Sequence, residues 1–113
     1  MYKVTYIIPI WAKTSTKDIL LSLNSLTNES KYICQIVVIH DGRESFPLDF
    51  SKVPKSLEKK IVHVYTWVNY GPGAARNFGC SFAESDFIFF LDAGDESSPQ
   101  RIEKQLPLVL KNG

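Results

Sequence analysis

The feature that most constrains this chain is a regular alternation of short apolar runs with segments of helical periodicity. Residues 4–10 are rich in β-branched side chains, and the run is closed by Pro9 and the polar patch that follows. Ser15 and Asp18 then have the spacing of a capping box, and Ile19, Leu20, Leu23 and Leu26 fall on one helical face. Residues 35–39 are almost entirely apolar, as expected of a strand covered on both faces. Residues 41–54 read as an irregular surface excursion broken by Gly42, Pro47 and Pro54. A short charged helix over about 54–60 leads into a third strand at 61–67. Pro72 suits the first position of the next helix, whose buried face is expected to carry Ala74, Ala75, Phe78 and Phe82. Residues 87–91 form the fourth strand. Ser98-Pro99 opens a last helix with Ile102 and Leu106, which Pro107 should kink or stop.

Strand and helix alternating four times is the pattern of an α/β fold of Rossmann-like type. The expected architecture is three layers, α/β/α, around an open, mainly parallel four-stranded sheet. At 113 residues the chain has the size of one domain. Hydrophobic residues at 44% and charged residues at 22% give an ordinary globular balance. Thirteen basic against twelve acidic residues, scattered along the chain, argue against nucleic acid as the partner. The longest apolar stretches are too short to span a bilayer, and the N-terminus lacks the pattern of a signal peptide. Cys34 and Cys80 show neither a disulfide framework nor metal-ligand spacing, so a reduced cytoplasmic setting is expected.

Open parallel sheets bind ligands beyond the carboxyl ends of their strands, where strand order reverses. The residues at those ends are Trp11, His40-Asp41-Gly42, Asn69 to Gly73, and Asp92 to Asp95. Asp92 and Asp95 sit on a loop loosened by Gly94, and two carboxylates so placed converge on a hard cation, Mg²⁺ or Mn²⁺. A solvated acidic turn capping the next helix fits the spacing equally well, and the position at a strand end favours the site. Gly71-Pro72-Gly73 is not a dinucleotide fingerprint, because Arg76 holds the third glycine position and the segment follows the third strand. It reads instead as a tight turn bringing a helix N-terminus towards a ligand, with Arg76 one turn in to meet a phosphate or a strand-end acid. Asp41 is a candidate acceptor for a base or ribose, or a turn aspartate bonding its own backbone. Trp11 is a candidate stacking surface or a packing residue. His40 and His63 show no spacing for metal binding or nucleophilic catalysis, and His63 reads as structural.

In order, the segments VTYIIPIW (4–11), QIVVIHDG (35–42), NYGPGAARNFG (69–79), FIFFLDAGD (87–95) and PQRIEKQ (99–105) resemble glycosyltransferase family 2, the group with the GT-A fold. The resemblance covers essentially the whole chain. It implies transfer of a sugar from a nucleoside diphosphate donor, usually a UDP-sugar, to an acceptor hydroxyl with inversion. By position, Pro9, Ile10, Trp11 and Asp41 would surround base and ribose, Arg76 would lie near the nucleotide, and Asp92 with Ala93 would contact ribose or diphosphate. Asp95 would be the chief ligand of a Mn²⁺ or Mg²⁺ ion, with Asp92 the second candidate.

The sequence departs from the family wording at His40, where an aspartate is usual, at Gly94, where an acid is usual, and near Ala12, where a polar residue is usual. The resemblance also implies that residues 1–113 are the donor-binding part of a GT-A domain. The acceptor-binding half and its carboxylate base are absent, so no catalytic base is assigned here. A saccharide or lipid-linked acceptor, polysaccharide assembly at the inner face of a membrane, and self-association through an exposed sheet edge complete the expectation. Two other readings are a non-catalytic nucleotide-binding or assembly module of the same fold, and a sugar nucleotidyltransferase. The latter calls for a glycine-rich loop after the first strand, and residues 10–15 contain no glycine.

Overall fold

A computed structural model describes residues 2–42 and 49–112 of the chain, the last four of these by backbone alone. The centre of the excursion expected over 41–54, with Pro47, lies outside the described residues. Strands β1 (Val4–Ile10), β2 (Ile33–His40), β3 (Ile61–Tyr65) and β4 (Phe87–Phe90) form one sheet in the order β3-β2-β1-β4. Every pairing is parallel. The chain therefore builds outward from β1 to β3 and then crosses back to place β4 on the other side of β1. The strand order reverses between β1 and β4, and that is where such a sheet opens a crevice.

Alternation along β1 divides the core. Tyr6, Ile8 and Ile10 pack with helix α1 (Thr16–Ser25), the short α2 (Lys55–Glu58) and α4 (Arg101–Asn112) through Ile19, Leu23, Leu57 and Ile102. Ile7 faces the other way and packs with Val37, Ile39 and Val64 under Ala75 of helix α3 (Pro72–Cys80). The result is the expected α/β/α sandwich, with three helices on one face and one on the other. Helix α1 starts as its sequence dictates: Ser15 Oγ accepts from the Asp18 amide at 3.1 Å. Between α1 and β2 a 3-10 turn (Thr27–Tyr32) carries Glu29. Its buried carboxylate accepts from the Ile102 and Glu103 amides at 2.8 and 3.0 Å, so α4 is capped by a residue from across the fold.

Two expectations are corrected. The buried face of α3 is Ala75 with Gly79, while Ala74 is exposed and Phe78 and Phe82 remain 41% and 40% exposed. The reason is proximity, because a Cβ on Gly79 would lie 2.8 Å from Ile7 Cγ2 and 2.9 Å from Ile39 Cδ1. Only the small residues fit against the sheet at that distance, and the two phenylalanines rest edge to face on the helix flank, 5.2 Å apart. Of the kink or stop expected at Pro107, the stop does not occur, since helix α4 runs through it to Asn112. Glu103, whose carbonyl loses its amide partner at Pro107, lies with Pro107 on the exposed face, while Ile102 and Leu106 hold the other face in the core.

Candidate functional site

The carboxyl ends of β1, β2 and β4 and the start of α3 enclose one cleft of about 390 Å³. Pro9, Ile10 and Trp11 form its wall from β1, Asp41 closes the end of β2, Arg76 reaches in from α3, and Asp92 and Ala93 form the β4 side. All seven residues assigned to the nucleotide from the sequence are thus brought together. Asn69 and Pro72, from the turn expected to face a ligand after the third strand, also line the cleft, as does Thr14, which was not named from the sequence. Their signal was present, since each follows the end of a strand or opens the helix after one. Trp11 is 47% exposed, so its ring is not part of the core packing.

Asp41 is buried and has three protein donors. Its Oδ1 accepts from the Tyr70 amide at 2.9 Å and from Thr66 Oγ1 at 3.1 Å, and its Oδ2 accepts from the Gly71 amide at 2.9 Å. The carboxylate therefore moulds the turn that delivers α3 to the cleft. Gly71 takes φ of 89° in that turn, a left-handed conformation suited to glycine. An ionised carboxylate offers about four acceptor directions, so one remains for a ligand.

On the opposite wall, Arg76 Nη2 meets Asp92 Oδ1 at 2.5 Å, with the side chains 30% and 53% exposed. Asp92, Gly94 and Asp95 belong to one turn, closed by the Asp95 amide on the Asp92 carbonyl at 3.0 Å. Gly94 has φ of 96°, which explains glycine where an acid was the family expectation. The turn is seated on α1 by a buried hydroxyl: Ser22 Oγ lies 2.7 Å from the Asp95 carbonyl and 3.2 Å from that of Asp92. The same oxygen accepts the Gly94 amide at 2.9 Å. One turn further along α1, Ser25 Oγ accepts the Ser97 amide at 2.8 Å. Neither serine was assigned from the sequence, because their partners lie about seventy positions away.

Asp95 does not line the main cleft. It borders a shallower recess beside it, together with Arg76, Phe90, Leu91 and Asp92. Among the described residues no group of three histidine, cysteine or acidic side chains is placed to hold a metal ion. The donors present, one exposed carboxylate and a second shared with Arg76, suit a hard cation that takes its other ligands from phosphate and water.

His40 does not line the cleft. Its Nε2 lies 2.8 Å from His63 Nδ1, and the ring stacks on Tyr65 with centroids 4.3 Å apart. Burial first, then the neighbouring imidazole, holds its pKa down to about 4, and burial lowers that of His63 as well. The pair is the product of register, since β2 and β3 place Val38 opposite His63 and His40 opposite Tyr65. Among the described residues no helix is long and apolar enough to cross a membrane.

With this geometry in place, the likeness to known proteins is specific. An uncharacterized glycosyltransferase of Haemophilus influenzae is 33% identical over 88 residues, covering 78% of this chain and 35% of its own length. The crystal structure of S. aureus TarS 1–349 superposes with a TM-score of 0.74 at 23% identity, covering 96% of this chain and 32% of that one. The same protein in complex with UDP-GlcNAc gives a TM-score of 0.68 at 22% identity, covering 96% and 31%. The chain thus spans about a third of the length of these proteins. The family model of glycosyl transferase family 2 matches residues 5–113, nearly the whole sequence, and the chain belongs to that family.

Proposed function

We propose that this chain is the donor-binding part of a glycosyltransferase that moves a sugar from a UDP-sugar to an acceptor hydroxyl with inversion. The observation that carries the reading is the cleft at the reversal of strand order, lined by all seven residues that the sequence assigned to a nucleotide. The choice of uridine is supported by the UDP-GlcNAc complex of TarS, whose fold this chain shares.

The half-exposed Trp11 and the apolar edge of Pro9 and Ile10 offer a face for the base. Asp41, fixed by its three donors, presents its remaining acceptor direction to base or ribose. Arg76 and Asp92 form a partly exposed pair, of the kind worth about 0–1 kcal/mol, so Arg76 is released at little cost to meet a diphosphate. Asp95 is the chief candidate for the metal and Asp92 the second. A Mn²⁺ or Mg²⁺ ion bound there would neutralise the charge that develops on the departing diphosphate. In the transfer the acceptor oxygen bonds to the anomeric carbon as the bond from that carbon to the phosphate oxygen breaks, and UDP leaves. The hydroxyl proton passes to a carboxylate base, expected in the part of the longer relatives that lies beyond the stretch matched by this chain. The acceptor is a saccharide or lipid-linked saccharide in surface polysaccharide assembly, met in the cytoplasm at the inner face of the membrane.

Calorimetric titration with UDP, with and without Mn²⁺, tests the reading. The expected result is that Mn²⁺ tightens UDP binding and that Asp95→Ala removes the gain. Absence of UDP binding, or a Mn²⁺ gain that survives Asp95→Ala, overturns it in favour of a non-catalytic module of the same fold.

A further inference from the structure

Ser22 sits on the inner face of α1, fully buried, and carries no charge. Its hydroxyl nonetheless meets three backbone groups of the acidic turn: the carbonyls of Asp92 and Asp95 and the amide of Gly94. A hydroxyl has one hydrogen and two acceptor directions. The hydrogen goes chiefly to the Asp95 carbonyl at 2.7 Å, with the Asp92 carbonyl at 3.2 Å as the weaker share, and a lone pair receives the Gly94 amide. Both acidic residues of the turn are therefore indexed to one atom on a rigid helix. Asp95 and Asp92 are themselves exposed, so packing does not hold their Cα positions.

We infer that Ser22 is a positioning residue for the cation site: it fixes the spacing of the two carboxylates by holding the backbone beneath them. The inference rests on the metal-assisted donor reading given above and assigns a residue to it that touches neither metal nor nucleotide. Alanine at this position removes the hydroxyl and leaves the helix intact, because alanine is the best helix former. The carboxylates then remain present, but the turn beneath them keeps only its outer restraints: the Asp92–Asp95 backbone bond, the Gly94 amide on the Asp18 carbonyl at 3.2 Å, the Arg76–Asp92 pair and Ser25 on the Ser97 amide. Partners that hydrogen-bond the ligating groups themselves are worth about 10–100-fold in metal affinity, and Ser22, acting through the backbone, is expected at the low end of that range.

Two measurements on the 113-residue chain test the assignment. In the first, UDP affinity is measured with and without Mn²⁺ for the wild type and for Ser22→Ala. The expected result is a metal-dependent gain reduced roughly tenfold in Ser22→Ala, with metal-free UDP affinity within about twofold of the wild type. Loss of both affinities in parallel marks a general structural role and overturns the assignment, as does an unchanged metal gain. A wild type that binds UDP without any metal gain sinks the donor-metal reading itself, independently of Ser22. In the second, amide exchange is followed in the ligand-free wild type, which needs no variant to fold. The Gly94 amide is expected to be protected, and exchange at the rate of an unstructured glycine removes the staple on which the assignment stands.

Discussion

Asp41 shows how a single side chain ties the fold to the site. It stands at the end of β2, is buried, and accepts from two successive amides, Tyr70 and Gly71, and from Thr66. These donors come from the segment between β3 and α3, so one carboxylate fixes the entry of α3 into the cleft. Removing it strands the Tyr70 and Gly71 amides, while the Thr66 hydroxyl keeps the Val68 carbonyl at 2.8 Å. Asp41→Ala is therefore expected to lower stability by about 2 kcal/mol in urea unfolding, and to weaken UDP binding as well. A loss below about 0.5 kcal/mol would mean that the turn holds without its clamp. The sequence made Asp41 visible because an acid before glycine at a strand end is a strong local pattern. It did not reveal the clamp, because that depends on β3 lying beside β2. Ser22 was invisible for the same reason: a serine inside a helix has no local signature, and its partners belong to a loop about seventy residues later.

The same division runs through the elements. The start of α1 was legible because its cap is local, with Ser15 and Asp18 three positions apart. The start of α4 was legible at Ser98-Pro99, yet the carboxylate that caps it comes from Glu29, in a 3-10 turn that periodicity did not suggest. On the inner face of α3, Ala75 is buried as expected, but Phe78 and Phe82 give way to Gly79, because close approach to Ile7 and Ile39 demands small residues. Register explains the remaining surprise, the contact between His40 and His63 across β2 and β3. Its consequence is a pH dependence with a definite sign. The pKa of His40 is held at about 4, and that of His63 is lowered too, against a value near 6.5 in the unfolded chain. Between those values the unfolded chain binds more protons than the folded one, so acidification favours unfolding. Stability from the pair is fully present above about pH 6.5 and is lost as pH falls towards 4. The urea midpoint should therefore drop between about pH 7.5 and pH 5, and His63→Phe should make that drop shallower. A midpoint that stays flat over the same range contradicts the lowered values.

For the molecule as a whole, the four-stranded sheet assembles the proposed donor cleft, and among the described residues each carboxylate bordering it already has a partner or a proposed task. Attack by an acceptor hydroxyl needs a base for its proton, and general-base catalysis contributes about 10²–10⁴-fold. Three carboxylates border the cleft and its neighbouring recess, and each has another task. Asp41 is buried against three donors, so drawing it towards a proton would dismantle the turn before α3. Asp92 is paired with Arg76, and Asp95 is the proposed metal ligand. The chain also spans about a third of the length of the Haemophilus influenzae relative and of TarS 1–349, so there is room in them for a second half that carries the base. The 113-residue chain by itself is accordingly expected to bind UDP-GlcNAc while releasing no UDP above background when saccharide acceptors and Mn²⁺ are added. Fusing it to the remaining two thirds of such a relative should restore transfer, and Asp95→Ala in the fusion should abolish it again. Acceptor-dependent UDP release by the short chain alone, lost in Asp95→Ala, would show that a group within these 113 residues serves as the base after all. Asp92 would then be the first to test, because partly exposed pairing with Arg76 is the weakest of the three restraints.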